Sequence, residues 1–95
     1  MIYELSVIAP EATTELDIEK ITRVIKRYSM SIEKFEDNGL KRLAYPIHGH
    51  NRGRYLFWLL DMATGEPQRL SSELNITDEV LRYLLVKEDG RYRGR

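Results

Sequence analysis

The chain has 95 residues, no cysteine, and 15 basic side chains against 15 acidic ones, so it has room for one modest core burying roughly 65% of the unfolded surface. It has no thiols for disulfides or thiolate metal sites, which suits a reducing, cytosolic compartment, and the balanced charge gives the whole molecule no long-range pull on a polyanion. MIYELSVIAP lacks the basic start of a secretory leader, and no apolar run approaches the ~20 residues that span a bilayer.

Residues 2–9 alternate as a strand with Tyr3, Leu5 and Val7 on one side, and Pro10 ends it. Thr14 and Asp17 have capping-box spacing. Ile18, Ile21, Ile25 and Tyr28 then recur at helical intervals, which predicts a helix over about 15–28. SIEKFEDNGLKRLAYPI, 31–47, reads as a long strand with a bulge or local turn at Asn38-Gly39. Its second half puts Leu43, Tyr45 and Ile47 on the helix-facing side as core, and Arg42 and Ala44 on the other. HGHNRG, 48–53, reads as a flexible connection. RYLFWLLDM, 54–62, follows as an apolar strand with Leu56, Trp58 and Leu60 on one face and Tyr55, Phe57 and Leu59 on the other. Thr64, Glu66 and Pro67 signal a second helix, carrying Leu70 and Leu74 and ending at Asn75. A last strand over about 79–87 turns Tyr83 and Leu85 one way and Arg82, Leu84 and Val86 the other.

The order βαββαβ predicts an α+β, ferredoxin-like sandwich: a four-stranded antiparallel sheet with both helices on one face and strands one and three in the centre. Residues 1–88 form the single domain and 89–95 a short basic tail. The helices cover Leu56, Trp58 and Leu60 together with Tyr3, Leu5 and Val7. The opposite face, with Tyr55, Phe57, Leu59, Leu84 and Val86 near Ile8, has no second layer within the chain, which marks it as a docking surface.

No catalytic constellation can be assembled. His48 and His50 share one loop without an acidic or cysteine companion at metal-ligand spacing, and neither GxxxxGK[ST] nor GxGxxG occurs. The glycine-rich anion cradle of acylphosphatase-type enzymes is absent after the first strand. RGRYLFWL, 52–59, starts like the third strand of an RNA-recognition motif but places Arg54 where the first stacking aromatic belongs. An enzymatic role has no support, and no cofactor or metal is expected. Basic residues cluster instead at Lys41-Arg42, at Arg52 and Arg54, and in the closing RYRGR.

GLKRLAYPI, 39–47, resembles the signature of the bacterial ribosomal protein S6 family, matching at Gly39, Lys41, Arg42, Leu43, Ala44, Tyr45 and Ile47. Tyr3-Glu4, Gly53-x-Tyr55 and NITDEVLRYLLVK, 75–87, extend the resemblance over nearly the whole chain, and His48 departs from the small or basic residue usual there. The resemblance implies a cytoplasmic constituent of the small ribosomal subunit that is monomeric when isolated. It also implies pairing with small-subunit protein number eighteen and binding to the central domain of the small-subunit rRNA in the platform. On that reading the RNA candidates are Lys41, Arg42, Arg52, Arg54, Arg82 and Lys87, with Arg91, Tyr92, Arg93 and Arg95 of the tail. The candidates for the partner protein are Tyr55, Phe57, Leu59, Leu84 and Val86. The alternative is a free-standing ferredoxin-like module that binds RNA or a small ligand, or dimerises through the sheet face.

Overall fold

The computed structural model describes residues 1–88, in the order β1 (Ile2–Pro10), α1 (Glu15–Arg27), β2 (Ser31–Ile47), β3 (His50–Asp61), α2 (Glu66–Asn75) and β4 (Arg82–Lys87). The strands form one antiparallel sheet in the order β2-β3-β1-β4. β3 and β1 occupy the two central places, and the helices cover one face of β3. This is the ferredoxin-like arrangement. Among the described residues no helix is long and apolar enough to cross a membrane.

The core lies between the sheet and the helices. Trp58 stands opposite Leu5 of β1 and Phe35 of β2, is almost fully buried, and holds its ring 5.0 Å from that of Phe35. Ile21 and Ile25 of α1 and Leu70 and Leu74 of α2 close over it. The capping box of α1 is formed. Thr14 Oγ1 accepts from Asp17 N–H at 3.2 Å while Asp17 Oδ2 accepts from Thr14 N–H at 3.0 Å, satisfying two donors that the helix leaves free. α2 starts differently from its sequence signal: Gly65, in the left-handed region at φ 89°, is the N-cap, and no side chain caps the helix.

Three expectations along β2, β3 and β4 need correction. The segment 48–53 is not a flexible connection: His48 and Gly49 alone make the turn, with φ of 48° and 81°, and β3 already pairs from His50, opposite Ile47. Positive φ at both central positions is the hairpin turn whose twist matches the strands, and cross-strand pairing overrides the polar composition. The last strand starts at Arg82, not 79, because Thr77–Val80 is a turn closed by Val80 N–H donating to Thr77 O at 3.1 Å.

The third correction concerns the faces of β2. The expected irregularity at Asn38-Gly39 is present, with Gly39 at φ 79° and its N–H donating to Asp37 Oδ1 at 3.0 Å. The register also shifts between Ile32 and Lys34 and again between Arg42 and Ile47. Each extra residue swaps the two faces of the strand beyond it. Past Gly39 it is Arg42, opposite Arg52, that shares the parity of Leu56 and Trp58, and Leu43 turns to the outer face. There its Cδ2 and Ile8 Cγ2 both crowd the position that a Cβ on Gly53 would take. Leu43 and Ile47 are buried as expected, but outside the main core, and Tyr45 is not core at all: it is 67% exposed.

Candidate protein and nucleic-acid interface

The outer face is built in rows by the ladder register. Leu84, Ser6, Phe57 and Glu36 lie across the sheet in one row, Val86, Glu4, Leu59 and Lys34 in the next, and Arg82, Ile8 and Tyr55 in the row toward the hairpin. Period-two alternation in β3 and β4, where no bulge intervenes, therefore brings all five partner-protein candidates onto one face. Leu84 and Val86 are 61% and 39% exposed, and Tyr55, Phe57 and Leu59 are half-buried. An open apolar groove of ≈ 370 Å³ runs along this face, lined by Ser6, Ile8, Tyr55, Arg82 and Leu84 among others.

Sequence reasoning missed the polar residues of the face. Ser6 and Glu4 stand between the apolar residues of β3 and β4, and Lys34 Nζ pairs with Glu36 Oε2 at 3.1 Å on the β2 side. The signal was present in the alternation of β1, whose inward Leu5 and Val7 leave Glu4 and Ser6 outward. The result is an apolar band with polar positions inside it and along one rim, the composition of a surface that is exposed before a partner arrives.

The basic candidates fall into distinct places. Lys41 lies on the outer face with its Nζ 5.6 Å from the centre of the Tyr55 ring, a cation–π contact. Arg82 reaches the same neighbourhood from the other side through the Arg82, Ile8, Tyr55 row. Arg42 and Arg52 face each other across the hairpin, and Arg52 Nη1 is 3.7 Å from Glu11. Lys87 is at the far end of β4, opposite Tyr3, about 17 Å from Arg82 at a strand rise of ~3.3 Å per residue. The structure thus sets Lys41 and Arg82 on opposite edge strands, one to each side of Tyr55, puts Lys87 at the other end of β4, and leaves Arg91, Tyr92, Arg93 and Arg95 outside the described residues.

Arg54 has a different environment. Its guanidinium donates to both carboxylate oxygens of Asp37, through Nε at 3.2 Å to each and through Nη2 to Oδ2, and Nη1 donates to the Thr13 carbonyl at 3.3 Å. Glu15 lies 3.9 Å from Nη2. Hydrogen bonding from Arg54 holds the Asp37 carboxyl below the ordinary carboxylate range, helped by the Gly39 N–H and opposed by partial burial. This clasp ties the bulge of β2 to β3 and to the loop before α1. It occupies the guanidinium with intramolecular partners.

Between Asp37 and Asp61 the chain carries no acidic residue, yet it carries Lys41, Arg42, Arg52 and Arg54. The hairpin is therefore a local positive region on a neutral molecule. Among the described residues no group of three or more His, Cys, Asp and Glu side chains is placed to hold a metal ion, and His48 and His50 flank the turn without such company. What the surface can do is bind: an apolar band beside a basic arm, meeting at Tyr55.

Comparison with known proteins agrees with this architecture. The profile of the family described as Ribosomal protein S6 matches residues 2–87. The small ribosomal subunit protein bS6 of Thermus thermophilus is 34% identical over 89 residues, covering 90% of this chain and 88% of that protein. The bS6 protein of Chlamydia abortus is 33% identical over 87 residues, covering 92% and 78%. In three dimensions the crystal structure of 30S ribosomal protein S6 from Thermotoga maritima superposes with a TM-score of 0.82 at 22% identity, over 98% of this chain and 92% of that one. An uncharacterised protein of Thermotoga maritima shares the fold at a TM-score of 0.59 and 18% identity, with 93% and 96% of the two chains covered. The matched residues span every element from β1 to the end of β4 and include the hairpin with its glycine-flanked basic run, and on that match the chain belongs to the ribosomal protein S6 family.

Proposed function

We propose that the chain is a structural constituent of the small ribosomal subunit, where it binds the central domain of the rRNA in the platform as a heterodimer with small-subunit protein number eighteen. Family membership supports the assignment to the small subunit. The observation that carries the heterodimer and rRNA proposal is the meeting of two surfaces at Tyr55: the apolar band of Phe57, Leu59, Leu84 and Val86 suits a protein, and the cations that flank Tyr55, Lys41 from one edge strand and Arg82 from the other, suit phosphates. A protein docked on the band would bring its own basic groups next to these. A neutral chain then gains RNA affinity only as part of the pair. The action is binding alone.

The test is binding to a central-domain rRNA fragment as a function of salt, with and without the partner protein. Specific binding only when both proteins are present supports the proposal, with log K falling linearly in log salt as phosphates are neutralised. Absence of specific binding by the folded pair refutes it. The isolated chain is expected to sediment as a monomer. Self-association through the sheet face would favour the dimerising module instead.

A further inference from the structure

We propose that the distal part of the β2–β3 hairpin, residues 42–52, is a nucleic-acid finger in which Arg42 and Arg52 close on one backbone phosphate while Tyr45 stacks on a neighbouring unpaired base. The inference rests on the RNA-binding reading and assigns it an atomic contact on a part of the molecule away from the apolar sheet face.

The first observation is electrostatic. Arg42 and Arg52 are direct partners in the ladder, and like charges placed opposite each other destabilise a strand pair. Arg52 has only a half-exposed Glu11 at 3.7 Å, and among the described residues no carboxylate pairs with Arg42. Directly opposed residues have Cα atoms about 4.5–5.5 Å apart, so two guanidinium groups on one side of the ribbon can hold a single phosphate between them. Arginine's fixed fork of donors suits that ligand. An anion placed there turns a repulsive pair into a binding site.

The second observation is the bulge. Residues 43–46 of β2 all stand against Asn51 alone, between the paired Arg42 and Ile47. Leu43 and Ile47 are buried at its two ends, and Ala44, Tyr45 and Pro46 are exposed between them. Pro46 limits Tyr45 to extended backbone, and the two-residue turn at His48-Gly49 leaves little slack beyond. An aromatic ring is thus held open to solvent on a braced segment. Beyond the ends of the bulge lie Arg42 and Arg52 on one side and His48 and His50 on the other, whereas the exposed apolar residues Leu84 and Val86 belong to the sheet face. Basic groups interleaved with an open ring suit a single-stranded nucleic acid, whose phosphates and base faces alternate in the same way.

The experiment uses the full chain with the partner protein and the central-domain rRNA fragment, titrated at several salt concentrations. Tyr45→Ala should weaken RNA binding by roughly 5- to 150-fold, the range for one lost base stack, without changing the salt slope. Tyr45→Phe should stay within about twofold, because the ring face is kept. Arg42→Gln should instead reduce the salt slope by about one. Tyr45→Leu serves as the second truncation if the alanine variant folds poorly. RNA affinity unchanged in the folded Tyr45 variants, with wild type binding normally, overturns the finger and leaves the RNA-binding reading intact. Loss of partner-protein affinity in the absence of RNA would assign the ring to a protein contact and also overturn it. Failure of the wild-type pair to bind the RNA removes both.

Discussion

Gly53→Ala tests whether the close approach of β1, β2 and β3 at the root of the hairpin is a steric requirement. The added Cβ would lie 2.6 Å from Ile8 Cγ2, 3.2 Å from the Ala9 carbonyl oxygen and 3.5 Å from Leu43 Cδ2. Carbon atoms settle at about 3.5–4.0 Å, so Ile8 must retreat by about 1 Å. Ile8 is β-branched and stiff at χ1, and the Ala9 carbonyl belongs to backbone fixed by pairing with β3. Overpacking of this kind costs about 1–3 kcal/mol. The backbone of Gly53 lies outside the left-handed region, so alanine also removes unfolded-state freedom worth about 0.4–1 kcal/mol in the opposite direction. The net expectation is a loss of about 1–2 kcal/mol, or roughly 5–15 °C in Tm for a domain of this size. Urea and thermal unfolding followed by circular dichroism would read it. An Ile8→Ala background should cut the cost to under about 0.5 kcal/mol, because the offending methyl is gone and the two sites couple. A neutral or stabilising Gly53→Ala, or an equal cost in both backgrounds, would refute the steric argument.

Three further outcomes follow from contacts described above. Asp37→Asn should flatten the acid limb of the Tm–pH curve: the depressed carboxyl stabilises wild type above its unfolded value near 3.8, and that contribution disappears as pH falls through the lower folded value. Parallel curves for the two proteins would show that the clasp contributes nothing. Thr14→Ala should cost about 1 kcal/mol by opening the capping box, whereas Thr14→Ser should restore most of it. Phe57→Ala should weaken binding of the partner protein by about 2 kcal/mol, roughly 30-fold, if the ring anchors the sheet face. Calorimetry with the folded variant and an unchanged dissociation constant would remove Phe57 from that role.

The sequence made the architecture legible wherever a period ran unbroken. Ile18, Ile21 and Ile25 predicted the buried side of α1, and the six large apolar residues from Tyr55 to Leu60 marked a strand with one face under the helices and the other left for a docking surface. The five sheet-face candidates came out on one side for the same reason. β2 resisted because alternation counts residues, and three register shifts change the count without any compositional mark beyond Asn38-Gly39. That is why Leu43 changed sides and why Tyr45, read as core, lies in solvent. His48-Gly49 was read as part of a longer loop because its polarity says nothing about the strand pairing on either side. Arg54 was grouped with the free basic residues because Asp37, its partner, is brought beside it only by the register.

The strand order also sets a schedule for the chain during its own synthesis. β1 is made first, yet its two neighbours in the sheet are β3 and β4, so it waits without a strand partner until Gly53 and the residues after it emerge, and keeps a bare edge until Arg82 and the rest of β4 follow. The β2–β3 hairpin, by contrast, closes locally, and non-local pairing is the slow step in folding. A nascent chain halted before β4 would present Ser6, Glu4 and the β1 edge to any other strand at hand. Glu4 places a charge within that edge, a feature that works against edge pairing between strands, well before it takes its place in the finished sheet.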